Sequence, residues 1–310
     1  MPVGNGGFGG GGGSSFLSPG GSGGFGGGGG GNGFVWALGG LLGGDSGIGA
    51  ANGNAGGGGG GGAGGAIFVQ DGGTLTLAGA LHIFGNSAQG GQGGQGGEQV
   101  EAQPGAGAGS GIFLYGNGSL VLTPGAGETQ IVADNIDDVN GIKNQYAGSF
   151  GSGSWSLVKN GAGALTLGGT NTYSGGTTIN DGILLFSSDA NLGTAGTGIV
   201  LNNGTVGVAS AAGQFIDRPI TINGLGAIYV GHNPENPNAL VTWSGVLGGA
   251  GMLVVDGGGT LALNGANTYA GGTRVTGATL QIAADASLGR PAPASRSMEA
   301  RCARQRVHPE

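Results

Sequence analysis

Residues 170–179 read TNTYSGGTTI, and residues 266–275 read ANTYAGGTRV. The likeness extends well past these phrases. Residues 157–193, LVKNGAGALTLGGTNTYSGGTTINDGILLFSSDANLG, align without a gap to residues 253–289, LVVDGGGTLALNGANTYAGGTRVTGATLQIAADASLG, with 18 of 37 positions identical. The shared positions include Leu165/Leu261, Leu167/Leu263, Asn171/Asn267, Tyr173/Tyr269, Gly175/Gly271 and Gly176/Gly272. Each copy is a set of short strands and tight turns that has no second layer of its own to pack on. Such a unit must bury its apolar face against a neighbouring copy or a related rung, which points to a stacked coil.

A second repeat precedes the first. GAIFVQDGGTLTL (65–77) aligns with SGIFLYGNGSLVL (110–122) at an offset of 45. Alternation in TLTL and SLVL puts Leu75, Leu77, Leu120 and Leu122 on one face. The turns at Asp71-Gly72-Gly73 and Gly116-Asn117-Gly118 use residues that tolerate positive φ. Further short apolar runs lie between the long copies, at 198–209, 219–230 and 239–243, so strand pairs recur roughly every 20 residues. The residues therefore predict an all-β chain wound as a parallel β-helix. Its core is narrow and made of Leu, Val and Ile. Asparagines at the turns form ladders from rung to rung, and Gly175-Gly176 and Gly271-Gly272 supply corners where a Cβ would clash. On this reading the NTYxGGT phrase recurs because both copies occupy the same corner of the coil.

Glycine divides the chain. It accounts for 85 of the 310 residues, and only 25 residues are charged. Residues 1–64 are a Gly-rich low-complexity segment punctuated by Phe8, Phe16, Phe25, Phe34 and Trp36. Two readings stand: a flexible coil, which Gly-rich composition favours, or a packed array of glycine rungs with aromatic plugs. Residues 65–154 form a β-helix-like region in which 88–109 reads as an excursion loop, and 155–289 carry the two long repeats. Residues 290–310 break the pattern, with no Gly, five Arg, two Glu and the single Cys of the chain. They read as a basic tail or, preferably, as an out-of-frame gene end.

Charge and motifs exclude several functions. Residues 1–289 hold 4 Lys and Arg against 14 Asp and Glu, so clustered cations for binding phosphates are lacking and no nucleic-acid partner is expected. No run of 18 apolar residues exists, and the first residues show no basic and apolar leader. The G-x-S-x-G match at 20–24 has no strand before it and no helix after it. His82, His232, His308 and Cys302 lie far apart, so no metal site is read, and no cofactor either. Asp137 and Asp138 are adjacent, so on a strand they point to opposite faces. A glycan-cleaving β-helix would converge carboxylates such as Asp134, Asp138 and Asp181 from neighbouring rungs. Tyr173 and Tyr269 suit either sugar stacking or packing at a corner, with packing the favoured reading.

The segments GxLxLxG followed by NTYxGGT resemble the passenger-associated transport repeat of bacterial autotransporters, and GGAIFVQDGGTLTLAG with GNSA resembles adhesin-like segments that precede such repeats. The resemblance spans about residues 65–289. It implies a right-handed β-helical passenger displayed on or released from a Gram-negative cell. It also implies an outer-membrane β-barrel translocator as partner, repeats that assist folding and transport, and host or surface glycans or proteins as ligands. It implies no catalytic residue. A glycan-active enzyme and a Gly-rich surface antigen are the alternatives.

Overall fold

The computed structural model describes residues 10–12, 22–31, 42–47, 56–95, 101–143, 145, 152–209, 213–231 and 239–289. The tail 290–310, with Cys302 and His308, lies outside the described residues, as do Phe8, Phe16, Phe34, Trp36 and His232.

The chain winds as a parallel β-helix with three faces. Face 1 is a seven-stranded sheet containing, in chain order, Leu75–Ala78, Gly118–Thr123, Trp155–Lys159, Thr177–Ile179, Ile199–Leu201, Ile220–Ile222 and Leu247–Gly248. Face 2 is an eight-stranded sheet running from Leu81–Ile83 through Ala164–Leu167 and Ile183–Phe186 to Met252–Gly257 and Thr273–Thr276. Face 3 begins as a three-stranded sheet of Ile67–Val69, Ile112–Leu114 and Ile136–Asp138. It ends as a four-stranded sheet of Gln214–Ile216, Leu240–Trp243, Thr260–Leu263 and Thr279–Ile282. The pairings along each face are parallel. Between the two sheets of face 3 the chain crosses that side twice without a strand. The Asn171–Ser174 stretch stacks on Ile136–Asp138, and the next pass stacks on it in turn, with Thr172 N–H donating to Ile136 O and Thr194 N–H to Tyr173 O.

The period-two alternation sends every second residue inward. Leu120, Leu157, Leu165, Leu167, Ile179, Leu184, Ile199, Leu201, Ile220 and Ile222 are at most 1% exposed and belong to one continuous core. The 45-residue repeat is a direct strand pairing: Ile67 sits beside Ile112 and Leu75 beside Leu120. One rung advances by 20 residues at Leu157/Thr177 and by 22 at Thr177/Ile199.

The long repeat behaves differently, and the same-corner expectation is corrected. Leu157 lies on face 1 and Leu165 on face 2, and NTY crosses face 3. In the second copy Leu253 lies on face 2, Leu261 on face 3, and NTY crosses face 1 beside Leu247–Gly248. The second copy is thus advanced by one face around the coil. The physical reason is that the motif specifies strand, strandless crossing, strand. Any face accepts that order, provided the preceding rung offers a partner.

Residues before the coil form a packed backbone array. The segment 56–62 is hydrogen-bonded to four others. Gly58 and Gly61 N–H donate to Gly29 and Gly26 O, and Gly59 and Gly62 N–H donate to Gln103 and Ala106 O. Gly56 and Gly59 O accept from Gly47 and Gly44, and Gly57 and Gly60 O accept from Gly94 and Gly91. A strand in a sheet has two neighbours; four are possible here because no side chains intervene. A methyl built on Gly28, Gly44, Gly58, Gly59 or Gly105 would collide with a backbone carbonyl of an adjacent segment. Within the expected excursion loop, the described stretches 88–95 and 101–109 contribute to this array, and Gly107–Ala108 pairs in parallel with Gly62–Ala63. The array covers the outer side of face 3. Phe68 and Phe113 point outward there and stack at 5.9 Å, and Phe25 packs on both at 5.7 and 5.5 Å and on Tyr115 at 4.8 Å.

Candidate functional site

The repeated residues meet at the strandless crossing. The Asn171 side chain joins three layers: its Oδ1 accepts from Ile136 N–H at 2.8 Å in the rung before, and its Nδ2 donates to Asn191 O at 2.5 Å in the rung after. Asn267 repeats the arrangement, accepting from Leu247 N–H at 2.8 Å and donating to Ser287 O at 2.7 Å. These groups are buried, so a missing partner would leave an unsatisfied polar group in the core.

Two residues on, Tyr173 and Tyr269 point inward and are 1% and 0% exposed. Their hydroxyls share hydrogen bonds with Thr177 Oγ1 at 2.8 Å and Thr273 Oγ1 at 2.6 Å, which is why the motif ends in GGT. Burial pushes the Tyr173 phenol up to about 12 and raises that of Tyr269. Neither ring is available as a sugar-stacking platform. A Cβ on Gly175 would stand 2.7 Å from the Trp155 backbone. The second glycines, Gly176 and Gly272, have φ of +79° and +80°, where a side chain is strained. Leu165, Leu167, Leu261 and Leu263 line the core just before each crossing.

The asparagine ladder stands at the turn between faces 1 and 2. Asn180 Nδ2 donates to Asn160 Oδ1 at 2.6 Å, Asn202 to Asn180 at 2.5 Å and Asn223 to Asn202 at 2.9 Å.

The candidate carboxylates are not brought together. Asp134 lies at the turn from face 2 to face 3 and accepts from Gly85 and Asn86 N–H. Asp138 lies at the turn from face 3 to face 1, fully buried, where it caps the short helix Val139–Ile142 and accepts from Trp155 and Ser174 N–H. Asp181 sits at the turn from face 1 to face 2, exposed, accepting from Gly182 N–H. Each stands at a different corner and holds backbone amides. Asp137 accepts from Gly109 N–H at 2.6 Å and Thr172 Oγ1 at 2.8 Å, tying the glycine array to the coil, and burial raises its carboxyl. It borders a cavity of about 200 Å³. Among the described residues no group of three His, Cys, Asp or Glu is placed to hold a metal.

Two buried cations were not singled out from the sequence. Arg218, 1% exposed, plugs the turn Asp189–Gly193. It pairs with the Asp189 carboxylate at 2.7 Å and donates to the carbonyls of Asp189, Leu192, Gly193 and Thr194. Lys159 ends a face-1 strand inside the core and donates to Asn160, Gly161 and Asp181 O, and burial lowers its ammonium. A signal was available for Lys159, since a cation stands where Val255 occupies the second copy. Arg218 lies outside both copies and had none.

The geometry repeated at these two crossings coincides with a family model. The passenger-associated-transport-repeat matches residues 157–186 and 253–282. Two stretches of the chain are therefore similar to this repeat. Over 175 residues, 56% of its length, it is 32% identical to the adhesin BmaC autotransporter of Brucella suis biovar 1 (strain 1330), and it spans about 5% of the length of that relative. No solved structure matches the chain. In structural terms, a passenger repeat here is one strand pair, one asparagine-clamped crossing and a second strand pair.

Proposed function

We propose that the chain is a non-catalytic stretch of an autotransporter passenger, a β-helical stalk or adhesin displayed on or released from the surface of a Gram-negative cell. The observation that carries this reading is the three-layer clamp of Asn171 and Asn267 inside matched passenger repeats. Each clamp needs the rung before it as donor and the rung after it as acceptor. Order can therefore spread along the coil one rung at a time, with contacts some 20 residues apart in sequence. That suits a chain threaded through an outer-membrane barrel, which folds as it emerges. The partner in transport is then that barrel, and the ligand a glycan or protein met outside the cell. The adhesin name of the relative supports the adhesive role.

The test is surface display. Cells expressing the full reading frame with an epitope inserted at Gly196, an open turn, should be labelled by antibody without permeabilisation, and added protease should remove the label. Labelling that appears only after the outer membrane is opened would contradict the proposal.

A further inference from the structure

Along the outer side of face 3 the strand register places Phe68, Phe113 and Asp137 in one row. The two rings lie under the glycine array. Asp137 stands one rung further on, and beside it lies the cavity of about 200 Å³. The array cannot fill this space, because it contributes Ala88, Gly107 and Ala108 there, and a Cβ on Gly107 would collide with the Ala88 carbonyl. Asp137, Gly109 and Ile142 in the lining are buried, whereas Thr170 and Gln145 are exposed, so a solute can enter past them.

The polar groups of the lining are mixed donors and acceptors. Each oxygen of Asp137 takes one bond, from Gly109 N–H at 2.6 Å and from Thr172 Oγ1 at 2.8 Å. A carboxylate accepts about four, so acceptor capacity is left over. Ser110 Oγ accepts from Asn135 N–H at 3.0 Å and keeps its own proton to donate. Asn135 Oδ1 accepts from Thr170 N–H at 2.9 Å, which leaves its Nδ2 as the donor end. No Lys or Arg lines the cavity, and the sole ion pair among the described residues is Arg218 with Asp189, elsewhere in the coil.

We propose that this cavity binds one neutral hexopyranose ring, the terminal sugar of a glycan. Every sugar hydroxyl both donates and accepts, which matches a lining of carboxylate, amide and hydroxyl groups. Asp137 takes a ligand hydroxyl in a charge-assisted hydrogen bond. The volume is below the roughly 300–1,000 Å³ of sites for drug-sized ligands, so it suits a single ring. Acidic sugars are disfavoured, since their carboxylate meets Asp137 with no cation beside it and Asp138 adjacent. The choice of a glycan rests on the adhesive role proposed for the chain.

The probes are the methyl glycosides of glucose, galactose and mannose, added to the full protein labelled with 15N-glycine. At least one should shift the Gly109 amide saturably and leave Gly207, on face 2, unmoved. The uronic acid form of that sugar should bind about tenfold or more weakly, and Asp137→Asn should weaken the neutral sugar by a similar factor. Asp137 also ties the array to the coil, so a second variant keeps the carboxylate: Ala88→Leu, which fills the cavity, should abolish the shift. No saturable shift at Gly109 with any of the three glycosides, or equal binding by the native protein and Ala88→Leu, would overturn the proposal and leave a hydrated cavity only. Surface display is read on cells without any sugar, so labelled cells combined with no shift at Gly109 would reject this site alone.

Discussion

The coil and the glycine array solve the same problem from opposite sides. In the coil, Leu165, Ile179, Leu184 and Ile199 fill the space between three sheets, and backbone amides pair only along the coil axis. In the array, segment 56–62 has no side-chain core of its own and is bonded to four neighbouring backbones. Apolar burial at about 25 cal/mol per Å² drives the first. The second offsets the high entropic cost of ordering glycine through hydrogen bonds and close backbone packing. The two meet where Phe25, Phe68 and Phe113 cluster. The comparison teaches that a coil tolerates change at its open turns, such as Gly196, but not where a buried side chain clamps a turn or a crossing, while the array tolerates none inside.

The largest effect should come from a clamp. Arg218→Ala removes the guanidinium and leaves the Asp189 carboxylate and four carbonyls short of donors. Only the guanidinium is buried, and the carboxylate it leaves is one-third exposed, so the cost falls at the lower end for a broken buried pair, about 3 kcal/mol, read as a lower midpoint in urea unfolding. In the array, Gly58→Ala should cost about 3 kcal/mol, because a methyl has no room beside the Gly44 carbonyl and overpacking forces the backbone apart. The matched control is Gly196→Ala in the coil. There φ is +79° but nothing lies within 4 Å of the added methyl, so only backbone strain of about 1 kcal/mol is expected. Equal effects at Gly58 and Gly196 would remove the distinction between the regions.

Asn171→Ala leaves Ile136 N–H and Asn191 C=O without partners and should cost about 2 kcal/mol. Tyr173→Phe should cost about 1 kcal/mol at neutral pH for the lost bond to Thr177, and it carries a pH signature. The native phenol titrates near 12 and the unfolded one near 10. Its contribution is constant below about pH 10 and falls as pH rises toward 12, by roughly 2–3 kcal/mol. The difference in stability between native protein and Tyr173→Phe should change across that window and stay flat below it.

Much of the coil was legible in sequence. Alternation in TLTL and SLVL placed the inward leucines, and the 45-residue repeat proved to be a strand register. The NTYxGGT corner was legible as a corner, though not the face it crosses. That depends on how many strandless crossings lie between the copies, and periodicity does not report a crossing. Thr177–Ile179 was hidden for the same reason, since GGTTI has too little apolar content to read as a strand. The array was half legible: composition allowed it, but hydrogen bonds between segments as far apart as Gly59 and Gln103 leave no pattern within either. Arg218 was invisible because its partners are backbone carbonyls.

The most direct test of the two-region account is amide hydrogen exchange on protein labelled with 15N-glycine. The account predicts that Gly58, Gly59 and Gly61 are protected to a degree comparable with Gly175 and Gly207 in the coil, since all sit in hydrogen-bonded layers. Exchange of the array glycines at the rate of an unstructured peptide, with the coil still protected, would contradict it and leave the segment 56–62 without the four-sided packing described above.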